Sequence, residues 1–142
     1  MNESEGKALA QRVAAAMMSR DRASRGLGIV IEDIGPGYAR LTMTVRPDML
    51  NGHDICHGGF MFTLADSAFA FACNSRNEST VAAGCSIEFL RPVREGEKLR
   101  AEAREQVLSG RTGIYDIAVL DEARQPVAMF RGKSARIKGE VI

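Results

Sequence analysis

The stretch His57-Gly58-Gly59-Phe60-Met61-Phe62-Thr63-Leu64-Ala65-Asp66-Ser67-Ala68-Phe69-Ala70-Phe71-Ala72-Cys73 decides the fold. Apart from the opening histidine, Asp66 is its one charged side chain. The run is too short for a membrane span and is interrupted by that carboxylate. It reads as a helix wrapped by protein on most sides. Phe62 and Phe69, four before and three after, flank Asp66 on such a helix. A carboxylate in apolar company is hydrogen-bonded, neutralised, or kept for chemistry.

Working outward, residues 3–20 read as an amphipathic helix with Leu9, Val13 and Met17 at i+4 spacing and Ser4 as its cap. Residues 28–34 read as a short strand, and Gly35-Pro36-Gly37 as a turn. Residues 38–46 alternate, with Ala39, Leu41, Met43 and Val45 on one face. Residues 48–56 form a loop, and the helix follows over 58–74. Strands are expected at 80–91, 97–108, 112–120 and 126–137, every late connection being a short hairpin. All four prolines fall between elements or at their ends. The class is α+β: one long helix against an antiparallel sheet of about six strands. One sheet covers only part of an all-apolar helix, so a second copy of the chain covers the rest.

The 142 residues fit one domain, 1–142. Nineteen Lys plus Arg against eighteen Asp plus Glu leave a net charge of +1, which gives no basic face for nucleic acid. The polar, acidic start Met1-Asn2-Glu3-Ser4-Glu5 is unlike a secretory signal. Three cysteines without paired spacing indicate reduced thiols in a cytoplasm.

Gly58 and Gly59 open the helix. Bare backbone N–H groups there, with the helix dipole behind them, suit a carbonyl oxygen that gains negative charge. Alternatively the two glycines only turn the chain sharply. Asp66 lies eight residues on, about 12 Å along a helix. A Gly58 amide and an Asp66 of one chain cannot reach the same carbonyl. If both act, two antiparallel helices from two chains share the site. His53, Asp54, Cys56 and His57 invite a metal, but no third cluster follows downstream, and no metal is expected. Cys56 with His57 lacks the geometry of a nucleophile pair. Ser67 lacks a nucleophile elbow.

The block from Asn51 through Gly59 to Leu64-Ala65-Asp66 resembles the hot-dog-fold acyl-CoA thioesterases of phenylacetate degradation. The similarity continues through Ala83-Gly84-Cys85-Ser86-Ile87-Glu88-Phe89-Leu90-Arg91-Pro92. The resemblance implies a hot-dog fold, a long central helix wrapped by a curved antiparallel sheet, in homodimers and then homotetramers. It implies Asp66 as nucleophile or general base, and the Gly58 amide on the thioester carbonyl. Asn51 would help place substrate or water, and His57 would orient the carbonyl region. It implies phenylacetyl-CoA and ring-hydroxylated relatives as substrates, with no cofactor. Gly59, Phe60, Phe62 and Phe69 would line the pocket, the Phe rings serving otherwise as helix core. Arg91, Arg94, Lys133 and Arg136 would meet the CoA phosphates, or stand as solvated surface charges. The rival readings are a broad-specificity or non-catalytic acyl-CoA-binding protein and a hot-dog hydratase. His57, nine residues before Asp66, argues against the hydratase.

Overall fold

The computed structural model describes residues 1–142. Two helices come first, α1 (Glu3–Arg20) and α2 (Arg22–Gly26). Strands β1 (Val30–Gly35) and β2 (Tyr38–Thr44) lead through a 3-10 turn at Pro47–Met49 to α3 (Gly58–Cys73). Four strands follow: β3 (Thr80–Phe89), β4 (Lys98–Ser109), β5 (Thr112–Leu120) and β6 (Pro126–Arg136). They form one curved antiparallel sheet in the order β1-β2-β4-β5-β6-β3.

Alternation sets the inner face. Ala39, Leu41, Met43 and Val45 are buried as their spacing requires, with Leu99, Ala101 and Ala103 of β4 beside them. Tyr115, Ile117 and Val119 of β5 continue that face against α3. Gly132 of β6 lets the helix come close: a Cβ there would lie 2.7 Å from the Phe69 ring. Phe69 packs on Tyr115 and Phe130, with ring centroids 5.6 and 5.9 Å away.

Three sequence expectations need correction. Asn2, not Ser4, caps α1, its side chain accepting the Glu5 N–H at 2.8 Å. The short helix α2 has no signal in the sequence, because five residues are too few to show a helical period; Asp21 caps it. The β3–β4 connection is not a hairpin, since β3 pairs with β6 at the far end of the sheet. The chain from Leu90 to Glu97 crosses to β4, held by Cys56 N–H to the Val93 carbonyl and Val45 N–H to the Glu97 carbonyl. That crossing lays residues 89–92 over the start of α3.

The sheet leaves one stripe of α3 open. Phe62, Thr63, Asp66 and Ala70 are partly exposed, while Leu64, Ala65, Ala68 and Phe69 are buried. The open residues recur at i+3 and i+4, so they share one face. Strand β3 is the other uncovered feature. It forms a sheet edge and is exposed from Val81 to Ser86.

Candidate active site

The loop before α3 is built on Asn51. Its Oδ1 accepts the His53 N–H at 2.9 Å and the Ile55 N–H at 3.4 Å. Its backbone N–H donates to the Ile55 carbonyl at 2.8 Å. Asp54 takes a left-handed conformation, φ 59°, which Asp tolerates better than most residues. With Oδ1 engaged, the Asn51 Nδ2 donor remains unpaired at the edge of a groove of about 610 Å³. Gly58, Met61, Phe89 and Arg91 line the same groove.

His57 is the N-cap of α3. Its Nδ1 accepts the Gly59 N–H at 2.9 Å, so the neutral ring carries its proton on Nε2. That bond occupies the Gly59 donor. The Phe60 N–H is likewise taken, by the His57 carbonyl at 3.0 Å. The Gly58 N–H has no partner in the chain. Of the two glycines, Gly58 alone presents a free donor at the helix start, where the dipole favours negative charge. We expect His57→Ala to cost about 1 kcal/mol of stability, the typical loss of an N-cap, and His57→Asn to recover most of it. Thermal melts of the two variants check this; equal melting temperatures would exclude the cap.

Asp66 sits mid-helix on the open stripe, and its carboxylate bonds to no group of its own chain. Burial first, and the Asp21 carboxylate second, push its pKa above the ordinary carboxylate value. It does not line the Gly58 groove. The unbroken helix from Gly58 to Cys73 keeps the two residues about 12 Å apart.

The other candidates divide. Phe69 is core, at 1% exposure. Phe62 packs edge-on to Phe130, and Phe60 edge-on to His57. The ring beside Gly58 is that of Phe89: a Cβ on Gly58 would lie 2.9 Å from it. Sequence reading misses Phe89, which the pairing of β3 with β6 brings there at the end of the strand. Of the four cationic candidates, Arg91 lines the groove, in an ion pair with Asp121. The Arg94 and Lys133 side chains are exposed and unbonded. Arg136 faces Glu78 at 3.5 Å, in a different cleft. No three His, Cys, Asp or Glu side chains converge as metal ligands. No helix is long and apolar enough to cross a membrane.

Residues 53–128 match the family model of the thioesterase superfamily. The acyl-coenzyme A thioesterase PaaI of Escherichia coli K12 is 48% identical over 126 residues, 89% of this chain and 90% of that protein. The solved structure of the E. coli PaaI protein from the phenylacetic acid degradation operon superposes with a TM-score of 0.93 at 46% identity. That match covers 95% of this chain and 98% of the other. A mutant of the phenylacetic acid degradation protein PaaI from Thermus thermophilus superposes at a TM-score of 0.79 and 39% identity, covering 82% and 100%.

Proposed function

The chain belongs to the thioesterase superfamily, and on that premise we propose that it hydrolyses phenylacetyl-CoA or a ring-hydroxylated relative in the cytoplasm, from an active site shared by two subunits. It is an acyl-CoA thioesterase. The observation that carries the shared site is a pair of unmet groups: the free Gly58 N–H at its groove, and the unbonded Asp66 about 12 Å along the same helix. Neither is complete alone. A second copy of α3, antiparallel to the first, brings the Asp66 of one chain to the Gly58 of the other.

Two features support the pairing. The α3 stripe around Asp66 lacks cover, and β3 presents an unpaired edge with Val81 and Phe89 each about half exposed. Natural edge strands of that length and apolarity are usually covered. A dimer, paired again into a tetramer, would cover both. The free thiols fit a reducing compartment; Cys56 and Cys73 are buried and Cys85 is exposed.

In the reaction, water attacks the thioester carbonyl carbon while Asp66 takes its proton. The carbonyl oxygen becomes an oxyanion on the partner's Gly58 N–H and the α3 dipole. Collapse breaks the C–S bond and expels CoA thiolate, which the proton held by Asp66 neutralises. The Asn51 Nδ2 lies on the same groove as Gly58 and donates to substrate or water there. Arg91 at its rim suits a CoA phosphate.

Turnover of a panel of phenylacetyl, hydroxyphenylacetyl, benzoyl and fatty acyl-CoAs tests the proposal. The expected result is highest kcat/KM on the aryl-acetyl members. Tight CoA binding with no thiol release from any member would leave a binding protein instead. Asn51→Asp keeps the loop-forming acceptor and removes the donor. We expect kcat to fall about 100-fold, as for loss of one transition-state donor, with little change in KM. A rise in KM alone would make Asn51 a binding residue.

A further inference from the structure

Ser67 follows Asp66 on α3 and is 8% exposed. Its Oγ lies 2.8 Å from the Oγ of Ser24 on α2, which is 1% exposed. Ser24 donates its hydroxyl to Asp21 Oδ2 at 2.7 Å and its backbone N–H to Oδ1 at 2.9 Å. An ionised carboxylate only accepts, so the single hydroxyl proton of Ser24 is committed to Asp21. Ser67 is therefore the donor between the serines. The chain runs one way, from Ser67 through Ser24 to Asp21, and ends on the carboxylate that caps α2.

Packing alone does not call for this. Buried hydroxyls cost free energy unless bonded, and alanine at both positions would avoid that cost. The chain also reaches the residue next to the one unpartnered carboxylate of the central helix. We propose that Asp21, Ser24 and Ser67 form a positioning device for Asp66, which fixes the α3 backbone there and stands a second carboxylate beside the reactive one. The proposal rests on the reading of Asp66 as the base.

Asp21 is held in place by two hydrogen bonds from Ser24, and Asp66, through its burial first and the Asp21 carboxylate second, holds its proton more tightly than an ordinary carboxylate. A base raised toward the working pH takes a proton from water more readily. Among the other titratable groups around α3, Cys73 feels the Asp66 charge, as a lesser effect than its burial. Cys73 is a neutral thiol pushed up to about 12 by burial. Tyr115 bonds Glu105, which also holds Arg76, and burial raises its phenol. Near α2, Arg25 and Arg46 donate to the carbonyls of Ser19 and Gly26.

Asp21→Asn tests the device. Asn caps as well as Asp, so α2 is retained while the charge goes. Its amide nitrogen also presents donors to Ser24, which reverses the serine proton. The acid limb of the kcat/KM profile is expected to move to lower pH, and plateau kcat to fall about three- to tenfold with the weaker base. In a Ser24→Ala background the same substitution is expected to move the limb less, because the groups act as a unit. An acid limb unmoved by Asp21→Asn in an active enzyme would overturn the inference, as would equal shifts in both backgrounds. A purely structural role lowers the melting temperature and leaves the limb in place. If wild-type hydrolysis survives Asp66→Asn, the reading of Asp66 falls and the device with it, a result distinct from an unmoved limb.

Discussion

Asp66→Asn is expected to lower kcat by about 1,000-fold or more, since a positioned base is worth about 100- to 10,000-fold and the amide cannot take a proton. The substitution is nearly isosteric on a half-exposed helix face, so fold and assembly survive. Stability at neutral pH is expected to rise. Burial raises the folded-state pKa of Asp66 above its unfolded value, so the native state binds the proton more tightly. Stability from this group is then full below the unfolded pKa and declines as pH climbs through the raised one. Asn escapes that decline. A melt of Asp66→Asn at pH 7 at or above wild type, beside lost thiol release, is the outcome expected. Full turnover would remove Asp66 from the mechanism.

Gly58→Pro is expected to cost about 100- to 1,000-fold in kcat, the usual effect of deleting one oxyanion donor. Proline is well suited to separating chemistry from folding here. Gly58 is the first residue of α3, where proline is favoured and the missing N–H has no intrachain partner to lose. His57 before it already has φ −62° and ψ 133°, the extended conformation a proline demands of its predecessor. The ring displaces Phe89, whose far edge is the part that would meet it and which is half exposed. An unchanged kcat in a folded Gly58→Pro protein would leave the glycine as a turn residue only.

Some of this is readable from residue types and some is not. The long helix announces itself through its unbroken apolar run, and β2 through Ala39, Leu41, Met43 and Val45, because both patterns are local. Asp66 stands out for the same reason: one charge among apolar neighbours needs no partner residue to be noticed. The Gly58–Asp66 separation also follows from rise per residue, so the case for two chains precedes any structure. What escapes depends on contacts distant in sequence. Phe89 reaches Gly58 only because β3 pairs with β6. His57 reads from its motif as an orienting residue, whereas its Nδ1 bond to Gly59 makes it a cap and removes one of two expected donors. The Ser24–Ser67 contact joins residues 43 apart, through a helix too short to show a period.

Mixing two inactive variants tests the shared site most directly. Asp66→Asn and Gly58→Pro chains are each dead as homodimers. Co-refolded in equal amounts, they form hybrids carrying one site with both wild-type groups and one site with neither. Half the dimers being hybrids with one working site of two, the mixture should recover about a quarter of wild-type activity. A mixture that stays inactive, with hybrid formation shown by mass spectrometry, would contradict catalysis between subunits.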